Sequence, residues 1–264
     1  MSKRLRELFQ TARAEGRKLF IPYVTAGYPR REDTVPILLA CEAGGADVIE
    51  IGMPFTDPLA DGSTVQHANQ VAIENGMNLQ ACFDMVREAR AQGLRAPVLF
   101  MGYYNPLLSR GEDRAVADAK AAGADGFIVV DLPAEEAGGF LAACKAHDMS
   151  FVPLIAPTST NERMAILAKT ADAFLYCVSV MGTTGGKTVD SATGLPAFLA
   201  RVRTHTDLPL AVGFGINTRE QADAVRKVAD AAIVGSAIIA TIDAAGEENR
   251  AQSVREFVEY VSGR

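Results

Sequence analysis

The chain alternates between short apolar runs and longer stretches with helical spacing. The short runs are rich in Val, Ile and Phe, which is typical of parallel strands that are buried on both faces. This alternation indicates a parallel α/β protein. The pattern predicts eight strands, over Leu19–Val24, Asp47–Ile51, Pro97–Met101, Gly126–Val130, Ser150–Ile155, Ala173–Ser179, Leu208–Val212 and Ala231–Val234.

Helical spacing is clear in Leu79–Gln92 and in Arg114–Ala122, which ends at Gly123 as a helix C-cap would. A further amphipathic helix is predicted over Ser2–Glu15, before the first strand, where we expect it to cover the bottom of the fold.

Eight β/α units in 264 residues match the size of one TIM barrel, about 250 residues. An open, doubly wound sheet is the alternative. The even spacing without a visible linker favours closure, and no Gly-x-Gly-x-x-Gly motif follows the first strand. We therefore predict one α/β domain over residues 1–264, a (β/α)8 barrel with an extra N-terminal helix.

Two connections are longer than the two to six residues that usually join such elements. They are predicted as loops over Met53–Met77 and Val180–Leu195, the second of which is rich in glycine. Long loops at the ends of barrel strands tend to be functional, so both are candidate lids.

Two acidic residues lie in and after the second strand. Glu50 interrupts a β-branched run, and Asp61 follows eleven residues later in a proline-containing loop. An unpaired buried carboxylate costs on the order of several kcal/mol, so Glu50 should be neutral, paired or directed at a polar cavity. An ion pair for Glu50 and a turn at Asp61 before Gly62 are the structural alternatives. Because barrel active sites lie at the carboxyl ends of the strands, we predict a catalytic carboxyl pair.

Glycines follow the last two strands, at Gly213, Gly215 and Gly235, and Ser236 opens a predicted helix. Loops after strands seven and eight, with a short helix, form the phosphate site common in TIM barrels. The alternative is that these glycines only turn the chain. Their positions favour a phosphate site.

Composition and charge narrow the class of protein. The net charge of −6 argues against nucleic acid or an anionic membrane as a partner. No run approaches eighteen apolar residues, and the four separated cysteines suggest reduced core residues, so we expect a cytoplasmic protein. The three histidines are scattered and indicate no metal set, which leaves acid–base chemistry by carboxylates without a cofactor.

The run Ile49–Gly62 closely resembles the signature of the tryptophan synthase alpha chain family. Similar segments follow one another along nearly the whole chain: Phe20–Pro29, Asp131–Pro133, Thr184-Gly185, Gly213–Ile216 and Gly235–Ile238. The resemblance implies a lyase that splits indole-3-glycerol phosphate by retro-aldol cleavage into indole and glyceraldehyde 3-phosphate.

The same resemblance implies roles for individual residues. Glu50 matches the acid–base residue, Asp61 the carboxylate near the indole nitrogen and Tyr176 an active-site tyrosine. Thr184 resembles a threonine that closes toward Asp61. The implied apolar lining is Phe20, Tyr23, Phe100, Ile128 and Ile155, and the implied phosphate contacts are Gly185, Gly213, Phe214, Gly215, Gly235 and Ser236.

Family members work in a tetramer of two alpha and two beta chains, with pyridoxal phosphate on the beta chain only. The resemblance therefore implies a beta-chain partner, with contacts at Asp57, Pro58, Asn105, Pro106, Pro133 and Glu135. The sequence departs from the common family pattern at Thr183, where Val is frequent, and at an extra Gly102. These differences affect the expected lid closure and the expected partner surface, not the reaction. A free-standing lyase, another phosphosugar barrel such as an isomerase, and a non-catalytic regulatory subunit are the competing hypotheses.

Overall fold

A computed structural model describes residues 1–178, 194–213 and 215–264. Parallel strands alternate with helices throughout these ranges. The strands are β1 (Leu19–Thr25), β2 (Ile49–Gly52), β3 (Val98–Gly102), β4 (Gly126–Val129), β5 (Ser150–Phe151), β6 (Leu154–Ile155), β7 (Leu175–Val178), β8 (Leu210–Gly213) and β9 (Ala231–Val234). The helices are α1 (Lys3–Ala14), α2 (Thr34–Ala43), α3 (Ser63–Glu74), α4 (Leu79–Ala91), α5 (Tyr104–Arg110), α6 (Glu112–Ala122), α7 (Gly138–Ala146), α8 (Asn161–Thr170), α9 (Gly194–Arg203), α10 (Arg219–Arg226), α11 (Ser236–Ala244) and α12 (Arg250–Ser262).

The strands form one parallel sheet in the order β5-β4-β3-β2-β1-β9-β8-β7-β6. The two edge strands, β5 and β6, are the two halves of the fifth predicted strand. The Val152 amide donates to the Phe127 carbonyl on one side, at 2.9 Å, and the Tyr176 amide donates to the Pro153 carbonyl on the other, at 3.1 Å. The chain thus bridges the two edges and the sheet closes as a TIM barrel, which confirms the predicted fold.

All eight predicted strands are present, with ends that differ by a few residues. The fifth is interrupted at Pro153, which has no N–H to donate to a ladder. The second begins at Ile49 rather than Asp47, whose carboxylate accepts a hydrogen bond from the Phe20 amide at 2.8 Å at the bottom of the barrel.

The N-terminal helix covers the bottom of the barrel, as predicted. Its buried face is Leu5, Phe9 and Ala12, and the Phe9 ring lies 5.0 Å from that of Phe174, which directly precedes β7. The Ser2 hydroxyl caps α1 and donates to Asp125, just before β4, at 2.9 Å. Both contacts lie at the amino ends of strands, so α1 does not cover the carboxyl ends.

The predicted loop over Met53–Met77 is wrong for about half of its length, because it contains α3 (Ser63–Glu74). The buried side of α3 is made of small and polar residues, Ala68, Asn69 and Ala72, which give little apolar periodicity. Only the segment from Met53 to Gly62 connects β2 to α3 without helix. The other predicted lid, Val180–Leu195, lies almost entirely outside the described residues.

No helix within the described ranges is long and apolar enough to cross a membrane.

Candidate active site

Glu50 lies on β2 and is fully buried inside the barrel wall. It is paired in register with Tyr23 of β1 and Leu99 of β3, so these three side chains point to the same face of the sheet. Neither carboxyl oxygen of Glu50 has a hydrogen-bond partner in the described part of the chain. Burial raises the pKa of Glu50 well above its usual value. Burial therefore favours the protonated form of Glu50, which can donate its proton.

Asp61, the second predicted carboxyl, is also buried but is differently surrounded. Its Oδ2 accepts hydrogen bonds from the Tyr103 hydroxyl at 3.2 Å and the Asn69 amide at 3.3 Å. Burial raises the pKa of Asp61 to about 6, and these two hydrogen bonds act in the opposite direction. Asp61 is therefore mostly ionised at neutral pH, whereas burial favours the protonated form of Glu50.

The loop that carries Asp61 is fixed by a residue at the end of β3. The Tyr103 hydroxyl accepts from the Ala60 amide at 2.9 Å while it donates to Asp61, and the Phe55 ring stacks on the Tyr103 ring at 5.0 Å. From α3, the Gln66 amide donates to the Asp61 carbonyl at 2.8 Å. The loop is thus held from both β3 and α3.

Sequence reasoning assigned no role to Tyr103 or Asn69. A signal for Tyr103 existed, since it directly follows a strand end on the catalytic side of the barrel. The sequence contained no such signal for Asn69, because the helix that presents this residue was predicted as a loop.

Two tyrosine side chains fill the barrel mouth beside glycines of the next strand. A Cβ atom on Gly52 would lie 2.1 Å from the Tyr23 hydroxyl, and one on Gly213 would lie 2.2 Å from the Tyr176 hydroxyl. Burial raises the pKa of Tyr176, and the nearby carboxyls of Glu50 and Asp61 raise it further. Burial and the same two carboxyls also raise the pKa of Tyr23, so both phenols stay protonated.

Only two of the five residues predicted to line the site lie on the inner face of the barrel. Tyr23 lies on the inner face with Glu50, and Ile128 does too, because it pairs with Met101, two residues beyond Leu99. The predicted positions that point to the opposite face, and are therefore wrong, are Phe20, Phe100 and Ile155.

Strand alternation explains these three corrections. Phe20 is three residues from Tyr23 on the same strand, which places it on the outer face. Phe100 packs 5.2 Å from Phe83 of α4, in the layer between sheet and helices. Ile155 pairs with Cys177, whereas its neighbour Leu154 pairs with Tyr176 on the inner face. The inward residues at these strand positions are Met101 and Leu154.

The predicted phosphate loops adjoin one another, since β8 pairs with β9 through Ala211 and Ala231. Gly213 ends β8, and Gly215 has a left-handed φ of +76° that favours glycine. Gly235 caps α11 without a side-chain hydrogen bond, and Ser236 is the first residue of that helix. An uncapped helix N-terminus with glycines around it can bind a phosphate. The remaining predicted contacts, Thr184, Gly185 and Phe214, lie outside the described residues.

The predicted partner contacts follow three neighbouring strands at the same rim of the barrel. Asp57 and Pro58 follow β2, Asn105 and Pro106 open α5 after β3, and the segment 133–135 follows β4. The exposed members are Asp57, Asn105, Pro133 and Glu135, while Pro58 and Pro106 are half-buried. Glu135 forms an ion pair with Arg163.

The described ranges contain no group of three or more His, Cys, Asp or Glu side chains placed to hold a metal ion. All four cysteines are buried and unpaired with one another. The fold and the site thus define a (β/α)8-barrel enzyme of the acid–base class, with two carboxyls at the mouth and a phosphate-type loop pair beside them.

Comparison with known proteins narrows this class. The family model for the tryptophan synthase alpha chain matches residues 9–263. The alpha chain of Roseiflexus sp. is 44% identical over 98% of this chain and 99% of its own length, and tryptophan synthase of Saccharomyces cerevisiae is 46% identical over 99% of this chain. The chain spans 37% of that yeast protein.

Solved structures agree with the sequence comparison. The crystal structure of tryptophan synthase subunit alpha from Legionella pneumophila superposes with a TM-score of 0.91 at 35% identity, and covers 100% of this chain and 98% of that one. The aminoacrylate-bound tryptophan synthase of M. tuberculosis gives a TM-score of 0.88 at 31% identity, over 98% of each chain.

The chain belongs to the tryptophan synthase alpha chain family. It is an enzyme of tryptophan biosynthesis, a lyase that cleaves indole-3-glycerol phosphate into indole and glyceraldehyde 3-phosphate.

Proposed function

We propose that Glu50 and Asp61 carry out this cleavage as an acid–base pair. The observation that carries the proposal is the burial of Glu50 on the inner face with both carboxyl oxygens free of partners among the described residues. A buried carboxyl without partners is costly, and such groups are common where a proton must be given and taken back.

The different protonation states of the two carboxyls fit the two tasks of the reaction. Protonated Glu50 donates to C3 of the indole ring, and its carboxylate then accepts the proton of the adjacent chain hydroxyl. Ionised Asp61 stabilises the positive charge that the ring nitrogen carries in between. Tyr176 completes the proposed site, because both carboxyls act electrostatically on its hydroxyl.

We also propose that the substrate phosphate binds between Gly213, Gly215, Gly235 and Ser236. The support is the uncapped N-terminus of α11, where the partial positive charge of the helix dipole favours an anion.

The chain would act as a single barrel domain over residues 1–264 in the cytoplasm, without a cofactor of its own. We propose a beta chain as its partner, in a tetramer of two alpha and two beta chains with pyridoxal phosphate on the beta chain. The alpha-chain names of the relatives and the shared rim at Asp57, Asn105 and Pro133 support this arrangement.

The test measures indole release from indole-3-glycerol phosphate by wild type, Glu50→Gln and Asp61→Asn, with and without a beta chain. Glu42→Gln is the matched control, since this half-buried carboxylate binds the Arg95 amide at the opposite end of the barrel. We expect both site variants to lose nearly all cleavage, because an amide cannot exchange the proton or carry the charge, and the control to keep it.

The beta chain should raise the wild-type rate. Fast cleavage that does not respond to the beta chain would indicate a free-standing lyase and contradict the proposed partner. Activity of Glu50→Gln within a few-fold of wild type would contradict the proposed acid–base role.

A further inference from the structure

The hydroxyl of Tyr23 occupies an unexpected place in the site. Tyr23 is the register partner of Glu50, and its hydroxyl lies where a side chain on Gly52 would begin. Gly52 is two residues beyond Glu50 on the same face of β2. The Tyr23 hydroxyl therefore lies closer to the mouth of the barrel than Glu50 does. Tyr23 thus offers a polar group to the site in addition to an apolar surface for the indole ring.

The hydroxyl is oriented by a neighbour on its own strand. Thr25 is buried, and its Oγ1 donates to the Tyr23 hydroxyl oxygen at 3.3 Å. Because the phenol oxygen accepts this bond, the phenol hydrogen remains available to a further acceptor. Asp61, Glu50 and Tyr103 act electrostatically on the phenol, so the Tyr23 hydroxyl lies near the two proposed catalytic carboxyls.

We propose that Tyr23 contacts the substrate and donates a hydrogen bond to the oxygen of the chain hydroxyl next to the indole ring. This inference rests on the proposed roles of Glu50 and Asp61. In the cleavage step, that hydroxyl gives its proton to the Glu50 carboxylate and its oxygen becomes the aldehyde oxygen of glyceraldehyde 3-phosphate. The electrons of the broken carbon–carbon bond return to the ring, whose C3 has already received a proton. A fixed donor at the oxygen stabilises the negative charge that develops there.

Thr25 is a positioning residue in this proposal, because it acts only through Tyr23. Its hydroxyl fixes the rotation of the phenol O–H, so removal of the Thr25 hydroxyl should matter only while the Tyr23 hydroxyl is present.

The experiment compares Tyr23→Phe, Thr25→Val, the double variant and Thr25→Ser. For each we would measure kcat and KM for indole-3-glycerol phosphate and the affinity for indole-3-propyl phosphate, a ligand whose chain lacks hydroxyls. We expect Tyr23→Phe to lower kcat about 3- to 10-fold, the effect of one hydrogen bond, with unchanged affinity for the propyl analogue.

Thr25→Val should also lower kcat, and the double variant should be no slower than Tyr23→Phe. Thr25→Ser keeps the hydroxyl and should have the wild-type kcat. Such non-additivity identifies two residues that act as one unit. If Tyr23 and Thr25 had a purely structural role, the substitutions would lower the affinity for the propyl analogue, and their effects would be additive in the double variant.

Tyr28→Phe is the matched control, because the Tyr28 hydroxyl donates to Asp243 instead. We expect this variant to keep the wild-type kcat. Glu50→Gln in the same assay separates the two proposals. If Glu50→Gln is inactive and Tyr23→Phe is as fast as wild type, the inference on Tyr23 is overturned and the acid–base role stands. If Tyr23→Phe weakens binding of the propyl analogue as much as it lowers kcat, the hydroxyl shapes the site and makes no substrate contact.

Discussion

At the scale of single residues, the protonation of Asp61 is set by its immediate neighbours. Burial raises the pKa of Asp61 to about 6, whereas the Tyr103 and Asn69 hydrogen bonds lower it. Because the ionised form is the active one in our proposal, kcat/KM should rise with pH up to about 6 and then level off. Tyr103→Phe removes one donor, so this acidic limb should move to higher pH.

The measurement is the pH profile of indole release between about pH 5 and pH 8. Tyr104→Phe is the control, because the Tyr104 hydroxyl donates to Glu112 and makes no contact with Asp61. An acidic limb that stays in place in Tyr103→Phe would show that another group controls it.

The same carboxyl lowers the stability of the fold at neutral pH. Its folded pKa of about 6 exceeds the usual 3.8, so the folded state binds the proton more tightly than the unfolded state. Stability from this group therefore falls as pH rises from about 4 to about 6, and the loss is complete above that range. Asp61→Asn should raise the free energy of unfolding by about 1–3 kcal/mol at pH 8.

Urea unfolding at pH 8 and pH 5 measures this gain, which should shrink at the lower pH. Equal or lower stability of Asp61→Asn at pH 8 would contradict the argument. If Asp61→Asn is more stable than wild type and also inactive, the ionised Asp61 side chain lowers the stability of the fold while it is required for activity.

The misplaced lining residues in the sequence prediction have one cause. Glu50 was identifiable because a charge inside a β-branched strand is conspicuous, and Asp61 because it lies in the loop that follows the carboxyl end of that strand. Phe100 and Ile155 were misplaced because a displacement by one position moves a side chain to the other face of the sheet. Apolar residues fill both faces of a barrel strand, so composition cannot tell the faces apart.

At the scale of elements, α1 shows how a helix contributes to stability without entering the site. Phe9 is buried at the bottom of the barrel against Phe174. Phe9→Ala should lower the free energy of unfolding by about 3–5 kcal/mol, the usual cost of removing a buried phenylalanine side chain. The kcat/KM of Phe9→Ala should equal that of wild type at a temperature where the variant is folded.

Denaturant unfolding and the indole assay test this pair of expectations. Leu8→Ala on the same helix is the control, because Leu8 is only half-buried and should cost less. A loss of kcat in folded Phe9→Ala would indicate that α1 influences the site.

Strong periodicity made most elements predictable, and its absence explains the failures. α4 and α6 carry clear apolar faces and were found. α3 was predicted as loop because alanines and polar residues form its buried side. Asn69, presented by that helix, could not be recognised before the helix was.

At the scale of the whole molecule, the barrel places the chemistry and the proposed partner surface at the same end. The loop after β2 carries both Asp61, held inside, and Asp57, exposed at the rim. A partner that covers this rim would contact the segment that fixes the second carboxyl. This arrangement provides a physical route by which a beta chain could change the rate of cleavage.

Two exposed leucines at this rim allow the partner surface to be tested apart from the chemistry. Leu59 follows Pro58 and is 73% exposed, and Leu108 on α5 is 52% exposed. Apolar side chains at the centre of an interface contribute strongly when a partner removes them from water. Leu108→Asp should therefore raise the beta-chain concentration needed for half-maximal activation by about tenfold or more, because a charge would be buried.

Titration of each alpha variant with the beta chain, with indole release as the readout, measures this change. Cleavage by the isolated Leu108→Asp chain should stay within about twofold of wild type, since Leu108 lies outside the barrel interior. Tyr260→Asp is the matched control, because Tyr260 is 50% exposed on α12, away from the β2 and β3 loops, and should leave the titration unchanged. If both variants shift the titration equally, the effect comes from charge or folding. If Leu108→Asp leaves it unchanged, the beta chain does not cover α5 and the proposed rim is incorrect.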